Sequence, residues 1–316
     1  MQKRQVLINA IMSVAQIIVI GGVLFIQYRF LLNTLGIEQL GVWSVVLASV
    51  SFGSIANFGL SASVVKFVAK YVARSEDKIV SSVIQTSVIS IGILVGFILL
   101  AAYPFINRFL GLIIPVVNLK DAISILPYAL LSLWIMVIAN VFQSSLDGYQ
   151  RVDLKSSILI ASWLFYLMLC FLMVPLYGLI GLAYAQVIQA FIILIGSWLL
   201  LKWYVRTLPI FPYKWNRKLF DEMIGYGLSF QVISISQMLY DPITKALLTK
   251  FGGLAMTGFY EMANRMILQF RALLVTTNQV LVPTIADLKE KTPKSSRKST
   301  ATLIVYFYIL HYHFFL

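Results

Sequence analysis

The chain is built from apolar runs too long for the core of a water-soluble domain. Nine stretches reach or approach the ~20 residues a helix needs to cross the hydrocarbon of a bilayer. They read as roughly 7–32, 41–63, 79–102, 122–146, 156–174, 179–201, 222–248, 255–284 and 300–316. The runs do not alternate polar and apolar residues as β-barrel strands do. In lipid a helix satisfies its backbone amides within its own segment. The expected fold is therefore an all-α polytopic membrane protein of about nine transmembrane helices. Composition removes the soluble alternative: 60% of the 316 residues are hydrophobic and 12% charged, about half the charge content of a typical soluble domain.

The net charge of +13 would suit nucleic acid, but its distribution argues against that partner. With the N-terminus placed in the cytoplasm, 18 of the 25 Lys and Arg residues fall in cytoplasmic segments, four in outer segments and three inside spans. That bias is the signature by which a membrane protein sets its orientation. The single cysteine, Cys170, excludes an intramolecular disulfide. His311 and His313 sit together at the end of the sequence, so neither a metal site nor a cofactor is expected. The start, Met-Gln-Lys-Arg followed by a long apolar run, reads as a first spanning helix with no cleavable signal.

Two connections are long, 103–121 and 202–221. The second carries Pro209, Pro212, Trp203, Tyr204, Tyr213 and Trp215, a composition suited to the membrane interface. It divides an N-terminal six-helix lobe, 1–201, from a partial C-terminal lobe of three helices, 222–316. An internal repeat supports that division. Residues 35–43, LGIEQLGVW, and 252–260, GGLAMTGFY, share Gly-x4-Gly-x-aromatic at an offset of 217. Both copies fall in the turn between the first two helices of their set. Parallel repeats of this kind occur in transporters. The one-sided repeat and the apolar ending HYHFFL point to a second lobe lacking about three helices.

Several stretches together resemble the polysaccharide transporter (O-antigen flippase) family, within the superfamily of multidrug, oligosaccharidyl-lipid and polysaccharide exporters. They are LNTLGIEQLGVWSVVLASVSFGSIANFGLSASVVKFVAKY at 32–71, SSLDGYQRVDLKSSILI at 144–160 and VPLYGLIGLAYAQVI at 174–188. LTKFGGLAMTGFYEMANRM at 248–266 and LVPTIADL at 281–288 complete the order. The resemblance implies twelve to fourteen helices in two lobes around a central cavity. It also implies transfer of a polyprenyl-pyrophosphate-linked oligosaccharide across the bacterial inner membrane. The chain departs from the pattern where the second lobe stops short.

Charges inside spans are costly and face a cavity or a partner. Asp241, Lys245, Glu261, Arg265 and Arg271 lie in the seventh and eighth runs. Gln231, Ser234, Gln237, Asp241 and Lys245 share a broad helical face, and Asn264, Arg271 and Asn278 recur every seven residues. These residues read either as the wall of a translocation cavity or as polar glue between helices. Asp241–Lys245 and Glu261–Arg265 are i,i+4 pairs with the acid first, able to neutralise themselves. Asp241 and Glu261 are also the candidate ion-coupling acids. Arg271 has Ile267 and Val275 at its i±4 positions and suits bidentate contact with a pyrophosphate. Pro242 is a candidate hinge. In the first run Asn9, Gln16 and Gln27 fall on one face, either lining the cavity or packing. The segment 66–78 is a basic amphipathic stretch suited to a lipid surface.

The expected activity is therefore transport of an anionic lipid-linked oligosaccharide, without catalytic residues. Membrane lipids and other polysaccharide-assembly membrane proteins are the expected partners. The competing readings are a drug/cation antiporter of the same superfamily, a non-transporting remnant and a membrane glycosyltransferase. The last would need a larger extramembrane loop than this sequence has.

Overall fold

In a computed structural model of the chain, residues 3–51 and 60–291 are described, with side chains at 4–51, 60–226 and 239–273. Seven helices follow one another: α1 Lys3–Leu35, α2 Ile37–Ser51, α3 Leu60–Val72, α4 Asp77–Ile113, α5 Val116–Gly148, α6 Val152–Tyr204 and α7 Arg217–Lys291. The described residues contain no strand. They belong to two compact units, 1–269 and 270–316. The first holds α1 to α6 and α7 as far as Gln269. Of the second, the described part is helix up to Lys291.

Among the described residues four helices are long and apolar enough to cross a membrane: α1, α4, α5 and α6. At 53 residues α6 would be about 80 Å long if straight, more than twice the ~30 Å hydrocarbon thickness. It is not straight. Gly178, at φ 58 and ψ −135, breaks it. A Cβ on Gly181 would collide with the carbonyl of Met173, and Tyr204 at its far end meets Arg151 at its start. The chain reverses at Gly178, and α6 is two arms that match the fifth and sixth expected spans. α7 behaves the same way around Gly253, at φ 82 and ψ 171. Thr249 hydrogen-bonds Thr257 across that reversal at 2.9 Å. The seventh and eighth expected spans are its arms, and they carry ionised side chains that lower their apolarity. α2 and α3 take up the two ends of the second span, and residues 52–59 between them lie outside the described residues. The ninth, 300–316, lies outside the described residues.

The surface is inverted relative to a soluble protein. Along α4, Ile93, Phe97, Leu100, Phe105 and Leu112 are exposed while Ser81, Gln85, Thr86 and Ser87 are buried. Apolar side chains outside and polar ones inside are what lipid as solvent selects. α5 is central and packs against α2, α3, α4 and α6, while α1 lies on α6.

Two connections differ from expectation. The stretch 103–121 is almost entirely helical: α4 runs through Pro104 to Ile113, and α5 begins at Val116. Only the turn at Ile114–Pro115 interrupts it, because the apolar pattern continues past the polar residues Asn107 and Arg108. Between α6 and α7, residues 205–216 are non-helical and are tied to α4. Backbone amides of Tyr213 and Lys214 donate to Gln85 Oε1, and that of Asn216 donates to Thr86 Oγ1. The Trp215 indole donates to Ser90. The amphipathic face of α3 is occupied by protein: Val68 sits against Gly148 of α5, and the Lys66 ammonium lies 3.6 Å from the centre of the Tyr226 ring.

Candidate functional site: a four-charge hub beside an amide-lined cavity

The turn at Gly36 joins α1 to α2, and the turn at Gly253 joins the two arms of α7. Their φ values are +81 and +82, a left-handed conformation that glycine alone adopts without strain. The two turns meet reciprocally. A Cβ on Gly41 would strike the carbonyl oxygen of Leu254, and a Cβ on Gly258 would strike that of Ile37. Leu254 and Gly258 are Ile37 and Gly41 plus 217. Each glycine of the repeat thus admits the backbone of the other copy, as expected where two copies cross near a local two-fold axis.

One turn further along, the same contact brings Ser44 to Glu261, again 217 residues apart. Glu261 is 2% exposed. Its Oε1 accepts from Arg265 Nε at 2.7 Å and from Tyr28 at 3.2 Å. Its Oε2 accepts from Lys245 Nζ at 2.6 Å and from Ser44 at 3.0 Å. Four donors fill the roughly four lone-pair sites of a carboxylate. Lys245, its side chain 4% exposed, bridges to Asp241 at 2.6 Å. Asp241 in turn accepts from Asn264 at 3.0 Å. Two acids and two bases therefore balance in one network. Each of the buried groups Glu261 and Lys245 thus faces a partner of opposite charge, which offsets the cost of its burial.

Beside the hub lies a cavity of about 230 Å³. α1 contributes Leu24, Gln27 and Tyr28, α2 Trp43 and Leu47, and α5 Ser132 and Met136. α6 contributes Trp163, Tyr166, Gln186 and Gln189, and α7 closes it with Glu261 and Arg265. Among the described lining residues, Arg265 is the only cation and Glu261 the only acid. The Arg265 side chain is 40% exposed, so it is the charge that the wall presents.

The residues marked by sequence separate into groups. Arg265 and Gln27 line the cavity; Lys245, Asn264, Asp241 and Glu261 form or adjoin the hub. Both i,i+4 pairs form. The Lys245–Glu261 bridge between them crosses the Gly253 reversal and was not visible in either helix alone. Gln16 is half-buried and is not among the described lining residues. Asn9 serves packing: it donates to the Gln150 carbonyl and accepts from the Asp153 amide. Pro242 is buried within helical backbone, and the break in α7 falls at Gly253. Arg271 belongs to the unit 270–316, is half-buried and is not without a partner. The side chains of Gln231, Ser234, Gln237 and Asn278 lie outside the described residues.

Sequence reading missed Tyr28, Ser44, Trp163, Gln186 and Gln189. The offset of 217 would have found Ser44 opposite Glu261. The amides Gln186 and Gln189 were a signal too, three residues apart in an otherwise apolar run.

The family profile described as "Polysaccharide biosynthesis protein" matches residues 6–289. Among solved structures the chain is similar to an inward-facing multidrug resistance MATE family transporter of the MOP superfamily. The TM-score is 0.69 at 17% identity, covering 93% of this chain and 69% of that one. An outward-facing transporter of the same description gives 0.54 at 15%, covering 95% and 77%. A MOP superfamily transporter from Pyrococcus furiosus, described as having a binding pocket of reverse polarity, gives 0.55 at 14%, covering 92% and 73%. At such identities the likeness is one of fold. No curated protein matches the sequence.

Proposed function

The chain belongs to the polysaccharide biosynthesis protein family, and from that premise we propose that it is a transporter that flips a lipid-linked oligosaccharide, borne on polyprenyl pyrophosphate, across the bacterial inner membrane. The cargo would serve surface-polysaccharide or O-antigen assembly. One observation carries the choice of cargo: the only acid among the described cavity residues is saturated by four donors, while Arg265, which gives that acid only its Nε, keeps a side chain 40% exposed. A site for cations needs an available carboxylate, and a site for a pyrophosphate needs an available guanidinium.

In this reading the N-terminal lobe, 1–201, and the C-terminal lobe, 222–316, rock about the contact made by the two glycine turns, with 202–221 as the connecting strap. Of the two acids, Asp241 is the better ion-coupling candidate, because its side chain is 37% exposed and a proton or cation there competes directly with Lys245. The basic bias of the loops supports a cytoplasmic N-terminus. Ser75→Cys in a chain without Cys170 should resist an impermeant thiol reagent applied from outside, and rapid labelling would reverse the orientation.

The decisive experiment reconstitutes the chain in liposomes with a fluorescent undecaprenyl-pyrophosphate oligosaccharide, and in parallel with ethidium. The glycolipid should cross faster than in empty vesicles and ethidium should not. Arg265→Ala should lower the rate per molecule by roughly tenfold or more, the loss of one charge-assisted contact worth about 1.5–3 kcal/mol. Arg265→Lys should be intermediate, and Arg271→Ala is the parallel test of the second basic candidate. Ethidium transport without glycolipid movement would establish the drug/cation antiporter instead. Movement of neither would mark a remnant.

A further inference from the structure

The two ends of α6 lie side by side, Tyr204 against Arg151, and their cations differ in one respect. At the start of the helix Arg151 bridges Asp153 at 2.9 Å and Lys155 bridges Asp147 at 2.7 Å. At the other end Lys202 and Arg206 have no carboxylate within bridging distance among the described residues. Both line an open groove of about 600 Å³, together with Leu199, Leu200 and Trp203.

The groove continues an apolar row. Phe191, Ile195, Leu199 and Trp203 are exposed at intervals of four residues along the second arm of α6, while Ile193, Ser197 and Leu201 are buried behind them. From Phe191 to Trp203 the row rises about 18 Å, close to one leaflet of the ~30 Å hydrocarbon layer. No charged residue occurs from Ser156 to Leu201. Lys202 and Arg206 therefore mark where the apolar layer stops, and Trp203, 85% exposed, stands at that border as interfacial aromatics do.

The local fold fixes these cations in place. Val205 and Leu208, on either side of Arg206, are buried, and the Leu208 amide donates to the Val205 carbonyl at 2.9 Å. The Ser81 hydroxyl of α4 donates to the Thr207 carbonyl at 3.2 Å, and the Trp198 indole donates to that of Pro209 at 3.4 Å. A turn pinned in this way leaves Arg206 exposed. The Lys202 ammonium lies 4.9 Å from the centre of the Trp198 ring.

From this arrangement we propose that the groove binds an anionic phospholipid of the surrounding bilayer, its phosphate between Lys202 and Arg206 and one acyl chain along the row from Leu199 to Phe191. The bound lipid would anchor the strap to α7 at the membrane interface. The proposal needs only a chain that lies in a membrane and is independent of the cargo. The chemistry selects the class. A guanidinium can hold a phosphate bidentately, and an ammonium adds a point charge. A free phosphate leaves the apolar row unused, and a zwitterionic lipid brings its own cation to a site that already has two.

The test applies native mass spectrometry to the full chain in detergent, with palmitoyl-oleoyl phosphatidylglycerol and the matching phosphatidylcholine titrated side by side. Phosphatidylglycerol should stay bound at concentrations at least tenfold below those that phosphatidylcholine needs, because two cations act on its net charge. Lys202→Gln with Arg206→Gln should remove that preference. Arg206→Gln alone, which keeps Lys202 on Trp198, should be intermediate. Lys214→Gln with Lys218→Gln removes the same charge from the far end of the strap and should keep the preference. Without lipid the melting temperatures of these variants should match the parent. Phosphatidylglycerol should raise that of the parent and leave that of the Lys202/Arg206 variant unchanged.

Equal binding of the two lipids, a preference that survives in the Lys202/Arg206 variant, or one lost equally in the Lys214/Lys218 variant would overturn the site. Lipid-free melting temperatures lowered in both the Lys202/Arg206 and Arg206 variants would make the pair structural. Displacement of phosphatidylglycerol by an equal concentration of undecaprenyl phosphate would assign the groove to the cargo, and a lipid-free dimer in the same spectra would assign the row to a second copy of the chain. A glycolipid that fails to cross would sink the flippase reading and leave this site standing.

Discussion

The hairpin around Gly36 and the hairpin around Gly253 share a backbone and divide the chemistry. Both turn at a glycine with φ near +80, and both present a second glycine five residues later to the carbonyl of the other. The side chains placed on that common frame diverge. Leu24, Tyr28, Ser44 and Leu47 of the first hairpin correspond to Asp241, Lys245, Glu261 and Asn264 of the second. The first is apolar with two hydroxyls; the second carries an ionic network. The hydroxyls of the first are aimed at the charge of the second, through Tyr28 and Ser44 on Glu261. A repeat can therefore conserve the contact that holds two copies together while one copy becomes polar, provided the other supplies matching donors.

The largest test of that comparison is the shared contact. Gly41→Ala and Gly258→Ala should each destabilise the protein by at least ~3 kcal/mol, because the obstructing atom is backbone and cannot rotate away. Gly22→Ala, where a Cβ would meet nothing within 4 Å, is the control and should be close to neutral. Thermal unfolding in detergent measures all three. A harmless Gly258→Ala beside a damaging Gly41→Ala would end the claim of reciprocity.

Next in size is the divergent charge. Glu261→Gln leaves buried Lys245 and its neighbour Arg265 facing a neutral amide, which should cost about 3–5 kcal/mol. Adding Lys245→Met should recover part of the loss, and the double change should cost less than the sum of the singles. Strict additivity would mean that the bridge contributes nothing across the Gly253 turn.

The hydroxyls that reach over from the first hairpin come third. Tyr28→Phe and Ser44→Ala should each cost about 1.5 kcal/mol, the low end for a hydrogen bond to a charged group, since three donors remain on Glu261. Either change proving as costly as Glu261→Gln would make the first hairpin an equal partner in the network.

The smallest effect sharpens the comparison from the other side. Thr249 and Thr257 bond across the second turn where the first hairpin has Leu32 and Leu40. Replacing both threonines by leucine makes the second turn resemble the first. Removing both partners together should change stability by less than about 1 kcal/mol, and Thr257→Leu alone should cost about as little, because Thr249 keeps its donation to the Lys245 carbonyl at 2.8 Å. A double change worse than the single would show that the second hairpin needs a polar staple.

Much of this was legible one helix at a time. Asp241–Lys245 and Glu261–Arg265 follow from spacing, since residues four apart share a helical face. The reversals near 178 and 253 were placed by gaps between apolar runs. Asn9, Gln16 and Gln27 share a face by the same arithmetic, yet the structure sends Asn9 to the α5–α6 turn and Gln27 to the cavity. Shared azimuth on a helix 33 residues long does not mean a shared neighbour, because the helix passes different elements along its length. Gln186 and Gln189 were passed over because uncharged amides barely dent the apolarity of a run, although their burial carries more consequence than that of a serine, which can bond back to its own helix.

The sequence by itself determined the class of molecule, its family resemblance, the positions of its turns and the residues too polar to face lipid. Each of these depends on local quantities: the length of an apolar run, the 3.6-residue period, or a glycine where φ must be positive. The tertiary structure alone decided which polar groups meet. Lys245 and Glu261 become partners only because the chain reverses at Gly253. Ser44 and Tyr28 reach Glu261 only because Gly41 and Gly258 let two backbones approach within contact, and Gln27 joins Gln186 and Gln189 only because α1 lies on α6. Close approach between distant segments is a property of packed surfaces, and no periodicity within one helix encodes it.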